Sequence, residues 1–393
     1  MENQNATQSN LGDDVNAARL TVCSLQPFYG GSHRQFIDGW KGASRLSWIS
    51  QTLPDRHWKW RMRHAAIEFA ERVDQSWQAG SKFDVILTTD MLNVAEFKGL
   101  LRTKARDCPI VVYFHENQFE YPNQQDRERD FHFGFTNLTS CLAADAVWFN
   151  SQYNLDSFVC HLRKLMKVWP DFQPVGAVEE LLRKSSVHPP GIKLDDEQLI
   201  ADGVAATGPI HLVWAARWEH DKNPDDLLRI LERLMEVEVD FVASIIGQQY
   251  AKTPAAFAQI KELLGDRICH WGYLKTSDAY QEVLTQADVF LSTAIHEFFG
   301  IAAAEAIAAG CFPILPNRLA YPELVGVGEN PDRARFLYAS IEDAVGKIAD
   351  LASDALGLQA SNGLTTSLRK TSCWNRRANM MDNEIEAICN RMR

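Results

Sequence analysis

The feature that most constrains this chain is a pattern that runs along it twice. Apolar runs of four to seven residues alternate with longer stretches of helical spacing. In the first half the runs occupy residues 20–25, 83–87, 110–114 and 146–149. They are almost continuous in aliphatic and aromatic side chains, as strands buried on both faces must be. Between them, residues 64–78 carry Ile67, Phe69, Ala70 and Val73 at helical spacing. The pattern restarts after residue 208, with runs at 211–215, 240–246, 268–271, 289–292 and 312–315. Such alternation predicts parallel sheets with helices on both faces. At 393 residues the chain also exceeds what a single core usually holds.

The expected fold class is therefore α/β, with two Rossmann-like, doubly wound domains facing each other across a cleft. The stretch 189–209 is broken by Pro, Gly and Asp without any period, and it reads as the connection. The boundaries that follow are a disordered tail over 1–17, an N-terminal domain over 18–190 and a C-terminal domain over 191–371. A last helix over 372–393, carrying Trp374, Met380, Met381, Ile385 and Ile388, is expected to pack back on either domain, with the N-terminal one as a candidate partner.

Composition removes several function classes. Eight cysteines are scattered with no C-x-x-C pair, which argues against a zinc site or a disulfide framework. The net charge of −11 is wrong for a generally basic nucleic-acid binder, so any RNA contact must rest on a local cluster. No apolar run approaches the roughly 20 residues that cross a bilayer, and the first 16 residues are polar rather than signal-like. A cytoplasmic protein without membrane attachment is expected.

In open α/β sheets, ligands gather at the carboxyl ends of the strands. Four such places carry chemistry. The segment His296-Glu297-Phe298-Phe299-Gly300 leads into a helix containing Glu305, so the helix amides face a bound diphosphate while the two carboxylates accept hydroxyl hydrogen bonds. After the run 211–215, Arg217 and Lys222 are spaced to neutralise a diphosphate together. Gly30 and Gly31 sit where the first strand turns into the first helix and allow close approach of an anion. His115-Glu116-Asn117-Gln118 follows the very apolar run 110–114, and His115 is the candidate sugar contact. A fifth cluster, His57, Trp58, Lys59, Trp60, Arg61 and Arg63, interleaves cations with aromatics as base stacking and phosphate contact require. Together with Glu116 and Asn117 it forms the candidate acceptor surface. Arg163, Lys164, Lys167, Arg183 and Lys184 add a second positive stretch.

The set Arg217, Lys222, Glu297 and Glu305 resembles the donor site of retaining GT-B glycosyltransferases of the glycosyltransferase 4 type. That resemblance implies that Arg217 and Lys222 hold the diphosphate, Glu305 the ribose and Glu297 the transferred sugar, with Phe298, Phe299 and Gly300 lining the donor. It also gives Gly30 and Gly31 the role of the N-terminal glycine loop, and His115 that of the histidine contacting the sugar. The runs F-Y-G-G-S-H-R-Q, L-P-D-R-H-W-K-W-R, Y-F-H-E-N-Q-F-E-Y-P, E-R-D-F-H-F-G, R-W-E-H-D-K-N-P and H-E-F-F-G are similar, more narrowly, to the tRNA-queuosine α-mannosyltransferase family. This implies transfer of mannose from GDP-mannose, a co-substrate rather than a cofactor, to queuosine in a tRNA anticodon loop, with retention.

No Asp-x-Asp stands at a strand end, so metal-independent activity is expected, with Arg217, Lys222 and the helix start stabilising the leaving phosphate. No carboxylate is placed as a covalent nucleophile, which favours front-face attack. The alternatives are a GT-B transferase with another sugar or acceptor, a nucleotide-sugar epimerase, and a non-catalytic tRNA-binding protein of the same fold.

Overall fold

The structure is a computed structural model, described here for residues 19–119, 131–169, 171–193, 208–250 and 252–392. The expected tail over 1–17 and most of the expected connection over 189–209 lie outside the described residues.

The N-terminal sheet is built from β1 (Thr21–Tyr29), β2 (Ser47–Pro54), β3 (Val85–Thr89), β4 (Ile110–Phe114), β5 (Ala146–Phe149) and β6 (Ser185–Val187). Its helices are α1 (Gly31–Ala43), α2 (Trp58–Gln78), α3 (Val94–Leu100), α4 (Phe131–Ala143), α5 (Gln152–Met166) and α6 (Gly176–Arg183). The second sheet comprises β7 (Ile210–Ala215), β8 (Phe241–Ile246), β9 (Ile268–Gly272), β10 (Val289–Leu291), β11 (Phe312–Pro316) and β12 (Leu337–Tyr338). Around it stand α7 (Pro224–Glu236), α8 (Ala256–Leu264), α9 (Ser277–Gln286), α10 (Ile301–Ala309), α11 (Tyr321–Val325) and α12 (Ile341–Ser353), followed by α13 (Asn362–Ser372) and α14 (Trp374–Met392).

Every strand pair is parallel. The orders are β2-β1-β3-β4-β5-β6 and β12-β11-β10-β7-β8-β9. The strand direction of travel reverses between β1 and β3 in the first sheet and between β7 and β10 in the second. These switch points open a crevice at the carboxyl ends, where ligands of doubly wound folds bind. Arg217 and Lys222 follow β7, and Glu297 to Gly300 follow β10, so the second crevice is flanked by both acidic and basic loops.

The strands that periodicity did not predict, β2, β6 and β12, are all sheet edges. β2 reads Ser-Trp-Ile-Ser-Gln-Thr-Leu-Pro and is half exposed, β6 is Ser-Ser-Val, and β12 has two residues. An edge strand pairs on one side only and needs no continuous apolar run. Two expected core positions are corrected. Ile67 is 50% exposed and Met380 49% exposed, because the buried faces of α2 and α14 run through Met62, Ala66, Phe69 and Val73, and through Ala378, Met381, Ile385 and Ile388.

The chain crosses back at its end. Ile192 N–H donates to Ser372 O at 2.8 Å, and α14 then packs on α1 in one apolar cluster with Phe36, Ile37 and Trp40. The buried Asp382 carboxylate ties it there, accepting from Trp40 Nε1 (2.8 Å), Ser44 Oγ (2.9 Å) and the Arg45 amide (2.8 Å). The Trp374 indole occupies the space that a Cβ would need at both Gly39 and Gly191. Among the described residues, no helix is long and apolar enough to cross a membrane.

Candidate active site at the two sheet switch points

On the C-terminal side the site is an ion-pair lattice. Asn223, with φ of 51°, caps α7 through its side chain after the short 3-10 turn His220–Lys222. That turn buries Lys222, whose Nζ donates to His296 O at 2.8 Å and to Glu297 Oε2 at 3.2 Å, with Asp221 Oδ2 at 3.3 Å. Burial opposes the charge on Lys222, but Glu297 and Asp221 carry its pKa above the ordinary value. Burial likewise opposes the charge on Glu297, yet Lys222 and the Gly300 amide hold its carboxyl below the usual range. The two therefore keep one another ionised. Arg217 pairs with Glu219 at 2.9 Å and lies 3.7 Å from Asp221, and it also bonds Tyr250. Gly300, at φ of 88°, is the N-cap that lets the chain turn sharply into α10. Lys222, Glu297 and Gly300 line one pocket together with Ser292, Ala294 and Tyr321.

Glu305, one turn into α10, stands apart from this pair. Its oxygens accept from Gln35 Nε2 at 2.5 Å and Tyr280 O–H at 3.1 Å, and burial pushes its pKa up to about 7. Phe298 and Phe299 do not present their rings to the pocket. Phe298 is buried against His296 and Tyr153 while its carbonyl accepts from Ser151 Oγ, and Phe299 packs on the C-terminal core. What they offer to a ligand is backbone.

On the N-terminal side, Gly30 is extended at φ of −165° and a Cβ there would meet the Asp55 carboxylate, whereas Gly31 is left-handed at φ of 50°. The pair thus does two jobs, close approach and reversal. His115 emerges from β4 half-buried, its amide donating to Asp90 Oδ1 at 3.0 Å and its ring 4.0 Å from that of His33. Burial, and then His33, keep the His115 imidazole neutral, well below its ordinary pKa. Glu116 is raised by burial, although Arg217 and Lys222 across the crevice pull the other way. Asp90, after β3, is raised well above its ordinary value by burial and by Glu116.

The expected acceptor cluster divides. Asn117 is fully buried, with its Nδ2 donating to Asn154 Oδ1 at 3.0 Å, so it braces the loop and offers no side chain to an acceptor. Trp58 packs with Phe28, Met62, Met91 and Phe133. Its neighbours are outside: Trp60 is 63% exposed, Lys59 lies over the Trp58 ring, Arg63 lies over Phe133, and His57 holds φ of 54° at the start of α2. Arg61 is anchored by Pro54 O and His64. This first turn of α2 adjoins the glycine turn through Asp55. The second positive stretch does not join it. Lys184 is buried on the carbonyls of Leu142 and Ala144, and Arg163, Lys164 and Lys167 end α5, about 20 Å along that helix from its start at the crevice.

Sequence reading did not single out His33, Gln35, Asp90, Asp221 or Tyr280. His33 and Gln35 lie in the F-Y-G-G-S-H-R-Q run after the first strand and Asp221 in the run after residue 216, without a role assigned, whereas Asp90 and Tyr280 carried no signal.

Comparison with known proteins agrees on the family. Residues 21–192 match the family described as "tRNA-queuosine alpha-mannosyltransferase N-terminal", and residues 195–362 match "Glycosyl transferases group 1". A tRNA-queuosine alpha-mannosyltransferase of Drosophila melanogaster is 37% identical over 318 residues, covering 79% of this chain and 83% of that protein. The chain belongs to the tRNA-queuosine alpha-mannosyltransferase family. A GDP-mannose:cellobiosyl-diphosphopolyprenol alpha-mannosyltransferase of Xanthomonas campestris is 29% identical over 38% of this chain and 40% of that protein. Among solved structures, sucrose-phosphate synthase from Thermosynechococcus elongatus superposes with a TM-score of 0.66 at 14% identity, covering 95% of this chain and 100% of that one. A glycosyltransferase from Rickettsia africae gives 0.61 at 15% identity, with 94% and 99% covered. The chain thus has the GT-B fold.

Proposed function

We propose that this protein transfers an α-mannosyl group from GDP-mannose to queuosine in tRNA, with retention of configuration. Support for the reaction class comes from family membership along most of the chain. The single structural observation that carries the reading is that Lys222 and Glu297, from different strand ends of the second sheet, meet in one pocket at its switch point, beside Gly300 at the start of α10.

In this reading Arg217, Lys222 and the first amides of α10 stabilise the charge that grows on the departing diphosphate, and no metal ion is assigned that task. Glu305 accepts hydrogen bonds from the ribose, with Gln35 giving way or sharing it. Glu297 and neutral His115 orient the mannosyl group. The C1–O bond to the diphosphate breaks as the acceptor oxygen attacks from the same face, and the departing phosphate oxygen takes the acceptor's proton. The start of α2 guides the anticodon stem, with Trp60 stacking and Lys59, Arg61 and Arg63 meeting phosphates. A tRNA acceptor fits a cytoplasmic location.

Mass spectrometry of tRNA from cells with and without the gene tests the whole reading. The expected outcome is loss of one hexose from queuosine in the deletion strain and its return when purified protein and GDP-mannose are added. Unchanged queuosine in that comparison would sink it.

A further inference from the structure

His33 is the third residue of α1, 6% exposed, and no step above uses it. Its ring lies 4.0 Å from that of His115 and 5.8 Å from that of Phe28. The two imidazoles come from the ends of β1 and β4 and face the same crevice. His33 Nδ1 and His115 Nε2 have no hydrogen-bond partner among the described residues.

A histidine kept for packing normally satisfies its nitrogens inside the fold, because a buried polar atom without a partner costs free energy. His211 in this protein does so, with Nδ1 at 3.1 Å from Gln286 O and Nε2 at 2.8 Å from Ser244 Oγ. His33 and His115 each leave a nitrogen over, side by side. Burial, and Arg217 across the crevice, push the His33 pKa down to about 4. A neutral imidazole carries one N–H and one bare nitrogen, which suits hydroxyl groups better than phosphates. The location argues for the donor: the charge that His33 feels is that of Arg217, the residue assigned to the diphosphate, and the hexose is the group joined to that diphosphate.

We propose that His33 is a second sugar-binding residue, whose Nδ1 hydrogen-bonds a hydroxyl of the transferred hexose next to the hydroxyl met by Nε2 of His115. The inference rests on the donor reading given above. It makes hexose recognition a property of both strand ends of the N-terminal domain, while the nucleoside and diphosphate are held by the C-terminal one.

Calorimetric titration of the full chain with GDP and with GDP-mannose separates the possibilities. His33→Phe keeps a ring against Phe28 and His115 but has no nitrogen. The expected result is unchanged GDP affinity with GDP-mannose bound about tenfold more weakly, the loss of one hydrogen bond. His33→Asn, which returns a polar atom near the Nδ1 position, is expected to lose less than His33→Phe. Equal losses for GDP and GDP-mannose would reduce His33 to packing, and no loss for either would also overturn the proposal. Should His33→Phe fail to fold, His33→Ala against His33→Asn decides by the same comparison. Wild-type protein that binds neither nucleotide would sink the donor reading itself and this assignment with it.

Discussion

Lys222 and Glu297 are held by each other from opposite loops, and the consequence is testable with one substitution. Removing one partner of a buried pair strands the other. Lys222→Met is therefore expected to cost about 3 kcal/mol in a denaturant melt and to lower kcat/KM by about 10²- to 10³-fold. The pH window of the pair follows from its shifts. Glu297 lies below its ordinary 4.5, so its contribution is present above that value and is lost as the pH falls further. Lys222 lies above its ordinary 10.5, so its share persists through that value and is lost only at higher pH. Glu305 runs the other way. Its pKa rises from 4.5 to about 7, so it favours the folded state most at low pH and loses that stability as the pH climbs through this range. In the proposed ribose-binding role Glu305 acts ionised, which predicts donor affinity about tenfold weaker at pH 6 than at pH 8. In Glu305→Gln, isothermal titration at both pH values is expected to give weak but equal affinities; a surviving pH slope would place the titration elsewhere.

Turns and helix starts decide what these side chains can reach. The sequence reading found the glycine pair after β1 by composition, but only the packed turn distinguishes the two positions. Gly30→Ala is expected to displace Asp55 and weaken donor binding, because a Cβ would overlap that carboxylate. Gly31→Ala meets open space and is expected to cost only about 1 kcal/mol, the strain of a left-handed backbone. Thermal melts and donor titrations of the two variants read these effects separately. At the start of α2, Trp60→Ala with Arg63→Ala is expected to raise KM for tRNA and flatten its salt dependence while GDP-mannose affinity stays constant. A change in both affinities would mean that the cluster serves folding instead. Asn117 marks the limit of motif reading: its place after a strand suggested a contact group, whereas the fold turned the amide inward to brace the loop against α5.

The two domains meet through hydrogen bonds around the site as well as through the crossing chain. Gln35 reaches Glu305, Ser151 Oγ donates to Phe298 O, and the Glu323 carboxylate accepts the amides of Gln152 and Tyr153 at 2.9 Å each, capping α5 from the other domain. Glu323→Ala removes this inter-domain cap and leaves only Ser151 Oγ, which accepts the Asn154 amide, at the start of α5; it is expected to open the donor-free crevice, seen as a larger radius of gyration in small-angle X-ray scattering that GDP-mannose reverses. An unchanged radius would show that the closed arrangement does not depend on this cap.

Sequence alone determined the two-fold strand-helix alternation, the runs that became interior strands, and the loops holding Arg217, Lys222 and Glu297, because interior parallel strands must be apolar and their carboxyl ends are where such sheets admit ligands. It could not determine the edge strands β2, β6 and β12, the inward turn of Asn117, the seat of α14, or the meeting of His33, Gln35 and Asp90 with the site. Those depend on which surfaces face each other after two sheets and a returning helix have packed, and local periodicity carries no information about partners far away along the chain.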